Sequence, residues 1–256
     1  MCHRRHSPPP LRLTLCAQSI VLENISLSFS KPAILDVKLG TVLAEETASE
    51  EKRARMEKTA KDTTSWETGV RLTGFQVYNH DSGSMVTTDK KYGKSIKPAD
   101  LPDGAARFFP VATVTEDGKV TGSGVPAPQL RRVLQGLLAR LRIIESALAG
   151  IELRMIAASL LVVYESDVSA LDGALANYVE PEAEGGDEED DESDDGAEVD
   201  PEDGSKKPEP KPFAIKIIDF AHTRLAPGEG PDEGALKGVR TTISLFEGRL
   251  AEVADL

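Results

Sequence analysis

The chain has 256 residues, 39% of them hydrophobic, two cysteines and a formal net charge of −13. That is apolar material enough for a sizeable core in one or two domains, while Cys2 and Cys16 share no metal-ligand spacing and form no disulfide framework. The acidity is local: residues 180–205 hold 15 acids and no Lys or Arg, leaving 28 acids against 30 bases elsewhere, so the remainder offers no global repulsion to an anionic ligand.

Residues 1–19, with Arg4, Arg5, His6 and three consecutive prolines, show little periodicity and read as an irregular start. They lack the long apolar run of a signal peptide. No segment reaches the ~20 apolar residues of a membrane helix, so membrane insertion is not expected. Residues 20–25 read as a strand end or connector. Ile34 to Leu39 nearly alternates and predicts a strand that puts Asp36 and Lys38 on one face, with Pro32 at its edge and Gly40 at its end.

Residues 42–62 have helix-forming composition with i,i+4 pairing such as Glu51 with Arg55. If that helix starts late, Ser49 caps it. Lys52, Arg53, Arg55 and Lys58 then form either a solvated face or a basic face for a phosphorylated ligand. Arg71 to Tyr78 predicts a second strand, with Gly74 as a bulge, followed by a polar turn over 79–84. Residues 111–129 read as a loop. Leu130 to Leu148 follows a period near 3.6 and predicts a long core helix stopped at Gly150. Glu152 to Glu165 predicts a strand. Residues 180–210 are expected to be disordered, and dispensable for catalysis. Phe213 to Ile218 predicts a strand running into Asp219 and His222, and Gly238 to Leu250 a short helix. The order describes an α+β domain over 20–256, interrupted by the insert. A Rossmann glycine fingerprint and a P-loop are absent from the sequence.

Two acids stand on or at the end of apolar strands: Asp36, with Lys38 beside it, and Asp219, with His222 after it. A carboxylate at a strand end suits Mg²⁺ held between nucleotide phosphates. A nearby lysine neutralises charge on a transferring phosphoryl group. Each residue also has an ordinary reading, since Asp at a strand exit often caps a turn and a lone His or Lys often faces solvent.

Pro32 to Gly40, Pro-Ala-Ile-Leu-Asp-Val-Lys-Leu-Gly, resembles the Pro-x-x-x-Asp-x-Lys-x-Gly signature of the inositol polyphosphate kinases. Ser159-Leu160-Leu161 and Ile218-Asp219-Phe220-Ala221-His222 resemble two further elements of that family, in the family's order. The resemblance covers roughly residues 20–250 and is nearest to the fungal multikinase branch. It implies an ATP-grasp-like and protein-kinase-like fold, of which this chain is expected to carry the C-terminal lobe with a truncated N-terminal lobe, because only 22 residues precede the hinge at Glu23-Asn24-Ile25.

The resemblance also implies roles. Glu23 and Ile25 would hold adenine through their backbone. Asp36 would contact ribose or the reacting centre, and Lys38 the substrate and the transferring phosphates. Ser159 would lie near nucleotide phosphate and metal, Asp219 would ligate Mg²⁺, and His222 would contact the inositol phosphate. Lys52, Arg53, Arg55 and Lys58 would bind substrate phosphates. The implied function is an ATP- and Mg²⁺-dependent kinase acting on an inositol polyphosphate in nucleus and cytoplasm, with nuclear regulatory proteins as partners and no direct nucleic-acid binding. The alternative is a non-catalytic homologue that binds ligand or protein through this lobe.

Overall fold

A computed structural model of the chain describes residues 22–179 and 209–256. The irregular start expected over 1–19 and nearly all of the acidic segment expected at 180–210 lie outside the described residues. β1 (Pro32–Leu39) is the central strand of a five-stranded antiparallel sheet, with β2 (Val70–Asn79) and β3 (Ser84–Thr88) on one side and β7 (Ser159–Glu165) and β8 (Phe213–Ile218) on the other. Its alternation is strict. Ala33, Leu35, Val37 and Leu39 are buried in the core, so Ile34, Asp36 and Lys38 share the opposite face, as the period of two dictates.

The core face is covered by α5 (Ala127–Ala149) and α7 (Glu233–Ala254), which pack on each other, with α4 (Leu101–Phe108) against α7. Leu130, Val133, Leu134, Leu137, Leu138 and Leu141 of α5 are buried, the stripe its period predicts. α5 begins three residues earlier than expected, because Pro126 and Pro128 sit where a helix start tolerates a missing N–H. α7 likewise starts at Glu233, where Asp232 caps it by accepting from the Ala235 N–H at 3.0 Å. Aromatic rings close the end of the core: Phe109 lies 5.5 Å from Tyr164 and 4.8 Å from Phe246 between centroids.

α1 (Glu50–Asp62) starts late, with Ser49 accepting from the Lys52 N–H at 3.3 Å, and α2 (Ser65–Thr68) follows it. The Gly74 bulge is present: Asp36 faces Gly74 but Val37 faces Leu72, and Gly74 has φ +148°. The strand expected over 152–165 is two strands, β6 (Leu153–Met155) and β7, because Ala157 turns left-handed at φ +61° between them. Sequence periodicity also missed β3, α3 (Lys90–Ser95), α4 and α6 (Val168–Asn177), all too short to show a repeat. Two small ladders complete the order, β4 (Thr113–Val114) with β5 (Val120–Thr121) inside the expected loop, and β6 with β9 (Thr223–Leu225).

Glu165, at the end of β7, is 2% exposed. Its carboxylate accepts from the backbone N–H of Ser30 at 2.5 Å, Lys31 at 2.9 Å and Asp167 at 2.8 Å, fastening the segment before β1 to the sheet. Lys31 adds an ion pair with Asp167 at 2.7 Å, which lowers the Asp167 pKa below the usual carboxylate range. A Glu165→Gln amide keeps one acceptor oxygen but turns its NH₂ toward at least the Ser30 N–H, so we expect a loss of about 2–3 kcal/mol. The check is the urea midpoint together with exchange of the Lys31 amide; an unchanged midpoint would refute the assignment.

Candidate functional site

The open face of the sheet carries the chemistry. Lys38 on β1 lies opposite Ser159 on β7, and Ser159 lies opposite Ile218 on β8, so Asp219 follows one residue beyond that row. Three strands therefore deliver Lys38, Ser159 and Asp219 to one point. The Lys38 ammonium pairs with Asp219 Oδ2 and donates to the Ala157 carbonyl at 3.4 Å. Ser159 is fully buried, and its hydroxyl reaches Asp219 Oδ2 at 3.5 Å. Half of the Asp219 side chain remains exposed.

Both residues that present oxygens to Lys38 are left-handed. Asp219 has φ +69° and Ala157 φ +61°, and they are the only non-glycine residues with positive φ among those described. Such a conformation costs roughly 1–2 kcal/mol for Ala and less for Asp. Strain of this kind persists where surrounding structure over-determines it, and such places cluster at functional sites. The ordinary reading of Asp219 as a turn cap does not describe its side chain: the short 3₁₀ turn Phe220–His222 receives no side-chain cap bond from it.

Asp36 lies on the same face, between Gly74 and Leu161. Its Oδ1 is buried and makes no hydrogen bond. Arg71, opposite Lys38 on β2, is in the same state at Nη1. Burial lowers the Arg71 pKa and the Asp36 charge opposes that effect. An unpartnered acceptor and an unpartnered donor, both buried at one sheet face, suit a ligand that brings hydroxyls and phosphates. The sequence reading did not select Arg71. Its signal was there, an arginine among the apolar residues of a predicted strand, but only the pairing with β1 puts it beside Lys38.

His222 stands after Asp219 at the wall of a cavity of about 600 Å³, which is bounded by the loop after β1, the end of β6, β9 and the start of α7. Its Nδ1 lies 3.4 Å from Glu45, which also lies 3.9 Å from the Lys52 ammonium. None of Lys52, Arg53, Arg55 and Lys58 lines this cavity; all four are exposed on α1, and Lys58 pairs with Asp62 at 2.6 Å. Glu23 and Ile25 lie in the turn leading to β1, Glu23 exposed and Ile25 half-buried, and no side-chain hydrogen bond joins them to the Lys38–Asp219 cluster.

The site suits a divalent ion bound with phosphates. Among the described residues no group of three or more His, Cys, Asp and Glu side chains gathers for a metal. A divalent ion shared with nucleotide phosphates needs only one or two carboxylates; Asp219 is half exposed, with one oxygen shared between Lys38 and the Ser159 hydroxyl.

Known proteins resemble this chain in sequence and in shape. A family model described as inositol polyphosphate kinase matches residues 19–247. The inositol polyphosphate multikinase of Saccharomyces cerevisiae is 31% identical over 268 residues, covering 93% of this chain and 70% of the relative. Inositol hexakisphosphate kinase 3 of Mus musculus is 31% identical, covering 96% of this chain but only 55% of its own length. A crystal structure of the S. cerevisiae inositol phosphate multikinase Ipk2 with ADP and Mn²⁺ superposes with a TM-score of 0.66 at 26% identity, covering 89% of this chain and 82% of that one.

Proposed function

The chain belongs to the inositol polyphosphate kinase family, and from that premise we propose that it transfers the γ-phosphoryl group of ATP, with Mg²⁺, to a hydroxyl of an inositol polyphosphate. The observation that carries this reading is the convergence of Lys38, Ser159 and Asp219 on one open sheet face, next to Asp36 and the His222 cavity. The likeness to a kinase structure holding ADP and Mn²⁺ supports a nucleotide with a divalent cation at that face.

The chain's own residues divide the work. Lys38 is held between the Asp219 carboxylate and the Ala157 carbonyl, so its ammonium is pre-positioned to neutralise charge on the transferring group. Asp36 and Arg71, each with one buried polar atom that lacks a partner on this face, would turn to a ligand hydroxyl and a phosphate respectively. Glu23 and Ile25 present the backbone of the turn before β1 to adenine. Asp219, with Ser159 at its side, would hold the cation, which would supply neutralisation of phosphate oxygens. His222, at the cavity wall, meets the attacking hydroxyl of the inositol phosphate.

Incubation of the protein with Mg²⁺–ATP and defined inositol tris- and tetrakisphosphates, with products separated by ion-exchange chromatography, tests the proposal. A more highly phosphorylated inositol is expected; no product above the protein-free blank with any isomer would overturn it. The basic helix takes the second test. Charge reversal at Lys52 and Arg53 is expected to weaken inositol phosphate binding about tenfold and nucleotide binding less than about twofold. Equal weakening of both ligands, or of neither, would argue against a substrate role for α1.

A further inference from the structure

The cavity beside His222 is assigned above to a polyanion, yet its walls carry more acids than bases. Glu45, Glu46, Glu229, Asp232 and Glu233 line it against Arg154, Arg224 and His222. Every base at this cavity already has a carboxylate. His222 Nδ1 lies 3.4 Å from Glu45, Arg224 lies 3.4 Å from Glu46 and 3.3 Å from Glu229, and Arg154 lies 3.4 Å from Glu229. Lys52, at the start of α1, is drawn to Glu45 as well.

The acids are not equivalent. Asp232 is committed to the fold: it accepts from the Met155 N–H at 2.8 Å and caps α7. Glu229 is shared by two arginines, one of which also donates to the carbonyls of Glu229 and Gly230 at 2.8 Å. Glu45 and Glu46 are different. They sit on the loop between β1 and α1, with ion-pair contacts of 3.4 to 3.9 Å, no shorter than those of Glu229, but neither bridges two arginines as Glu229 does. The Glu46 side chain is 86% exposed. Contacts that long between partly exposed groups are weak and readily exchanged for a better anion.

Resting on the reading of this cavity as the inositol phosphate site, we propose that Glu45 and Glu46 are its specificity determinants. They hold Lys52, His222 and Arg224 where ligand phosphates would otherwise pair. A polyphosphate must displace them, and they then repel what remains in the cavity. The repulsion grows with ligand charge by Coulomb's law, so the two carboxylates disfavour highly phosphorylated ligands more than sparsely phosphorylated ones. Selectivity among inositol phosphates is therefore set by built-in repulsion as well as by attraction.

The test is calorimetric titration of inositol trisphosphate and inositol hexakisphosphate into the wild-type chain and into E45Q, E46Q and the double variant, at one fixed salt concentration. Each single amide is expected to tighten hexakisphosphate binding about fivefold and trisphosphate binding about twofold, so the affinity ratio shifts toward the higher phosphate. E57Q removes the same charge from the outer face of α1, where Glu57 pairs with Lys61 at 2.5 Å, and is expected to shift neither ligand by more than about twofold. Thermal transitions of all variants report on the fold. Equal tightening of both ligands, an effect of E57Q as large as that of E45Q and E46Q, or weaker binding in the amides would overturn the proposal. If the wild type binds inositol phosphates and the amides leave both affinities unchanged, the proposal falls while the site assignment stands. If neither wild type nor variants bind either ligand, the site assignment falls and this inference with it.

Discussion

Asp219→Asn is expected to lower metal-dependent phosphoryl transfer by about 10³-fold or more while leaving the thermal transition close to that of the wild type. The substitution is chosen for its backbone. Position 219 is left-handed at φ +69°, a conformation that Asp and Asn tolerate better than other side chains, so the turn out of β8 survives. Size and an acceptor oxygen also survive. Only the charge is lost, and with it the ion pair to Lys38 and a ligand able to hold Mg²⁺. Asp219 is half exposed, and Lys38, though mostly buried, keeps the Ala157 carbonyl as a partner, so the lost pair is expected to lower stability only modestly. Manganese titration in the presence of ADP, followed by electron paramagnetic resonance, reads the metal directly: the wild type should retain Mn²⁺ with nucleotide, and the variant should not. Turnover and Mn²⁺ affinity near wild type would remove Asp219 from the metal site.

The second large effect concerns stability. Gly93→Ala should unfold the protein at markedly lower urea, against the direction that helix propensity gives. Alanine in a helix is favoured over glycine by about 1 kcal/mol. Gly93, however, lies in α3, where that helix presses on β2, and an added Cβ would stand 1.5 Å from the Leu72 carbonyl oxygen. The obstacle is backbone in a central part of the sheet, so it cannot swing aside as a side-chain end would. Either α3 lifts from β2, exposing Ile96 and Leu72, or β2 shifts against β1. We expect a cost of about 3 kcal/mol or more, read as a lower urea midpoint with an unchanged slope. A midpoint equal to or above that of the wild type would show that the close contact is not maintained in solution.

Legibility followed element length and periodicity. α5 presents a buried stripe over six turns, and β1 nearly alternates in residue type, Ile34 being the apolar exception on its open face, so both could be read from the sequence. α3 and α4 could not. Six and eight residues are too few to display a period, and α3 contains the glycine that its packing requires. The break at Ala157 was equally hidden. Met155, Ile156, Ala157 and Ala158 are compatible with continued strand, and the left-handed turn exists because β6 leaves the main sheet to pair with β9.

The same division runs through the candidate site. Asp36, Lys38, Ser159, Asp219 and His222 were legible because their local spacing follows a recognisable family pattern, and the shared face of Asp36 and Lys38 follows from the two-residue period of a strand. Arg71 was not, because its pairing with the Lys38 row is set by the bulge at Gly74, which shifts the β1–β2 register. Nor was the opposition of Glu45 and Glu46 to the cavity's bases, since Arg224 and Glu46 are 178 residues apart and meet only once the sheet has closed. What the amino-acid order determined by itself was the chemistry carried by each segment and the face on which each strand presents it. What only the tertiary structure decided was which charges share a site, because Coulomb energy depends on distance in space, and strand pairing sets that distance independently of separation along the chain.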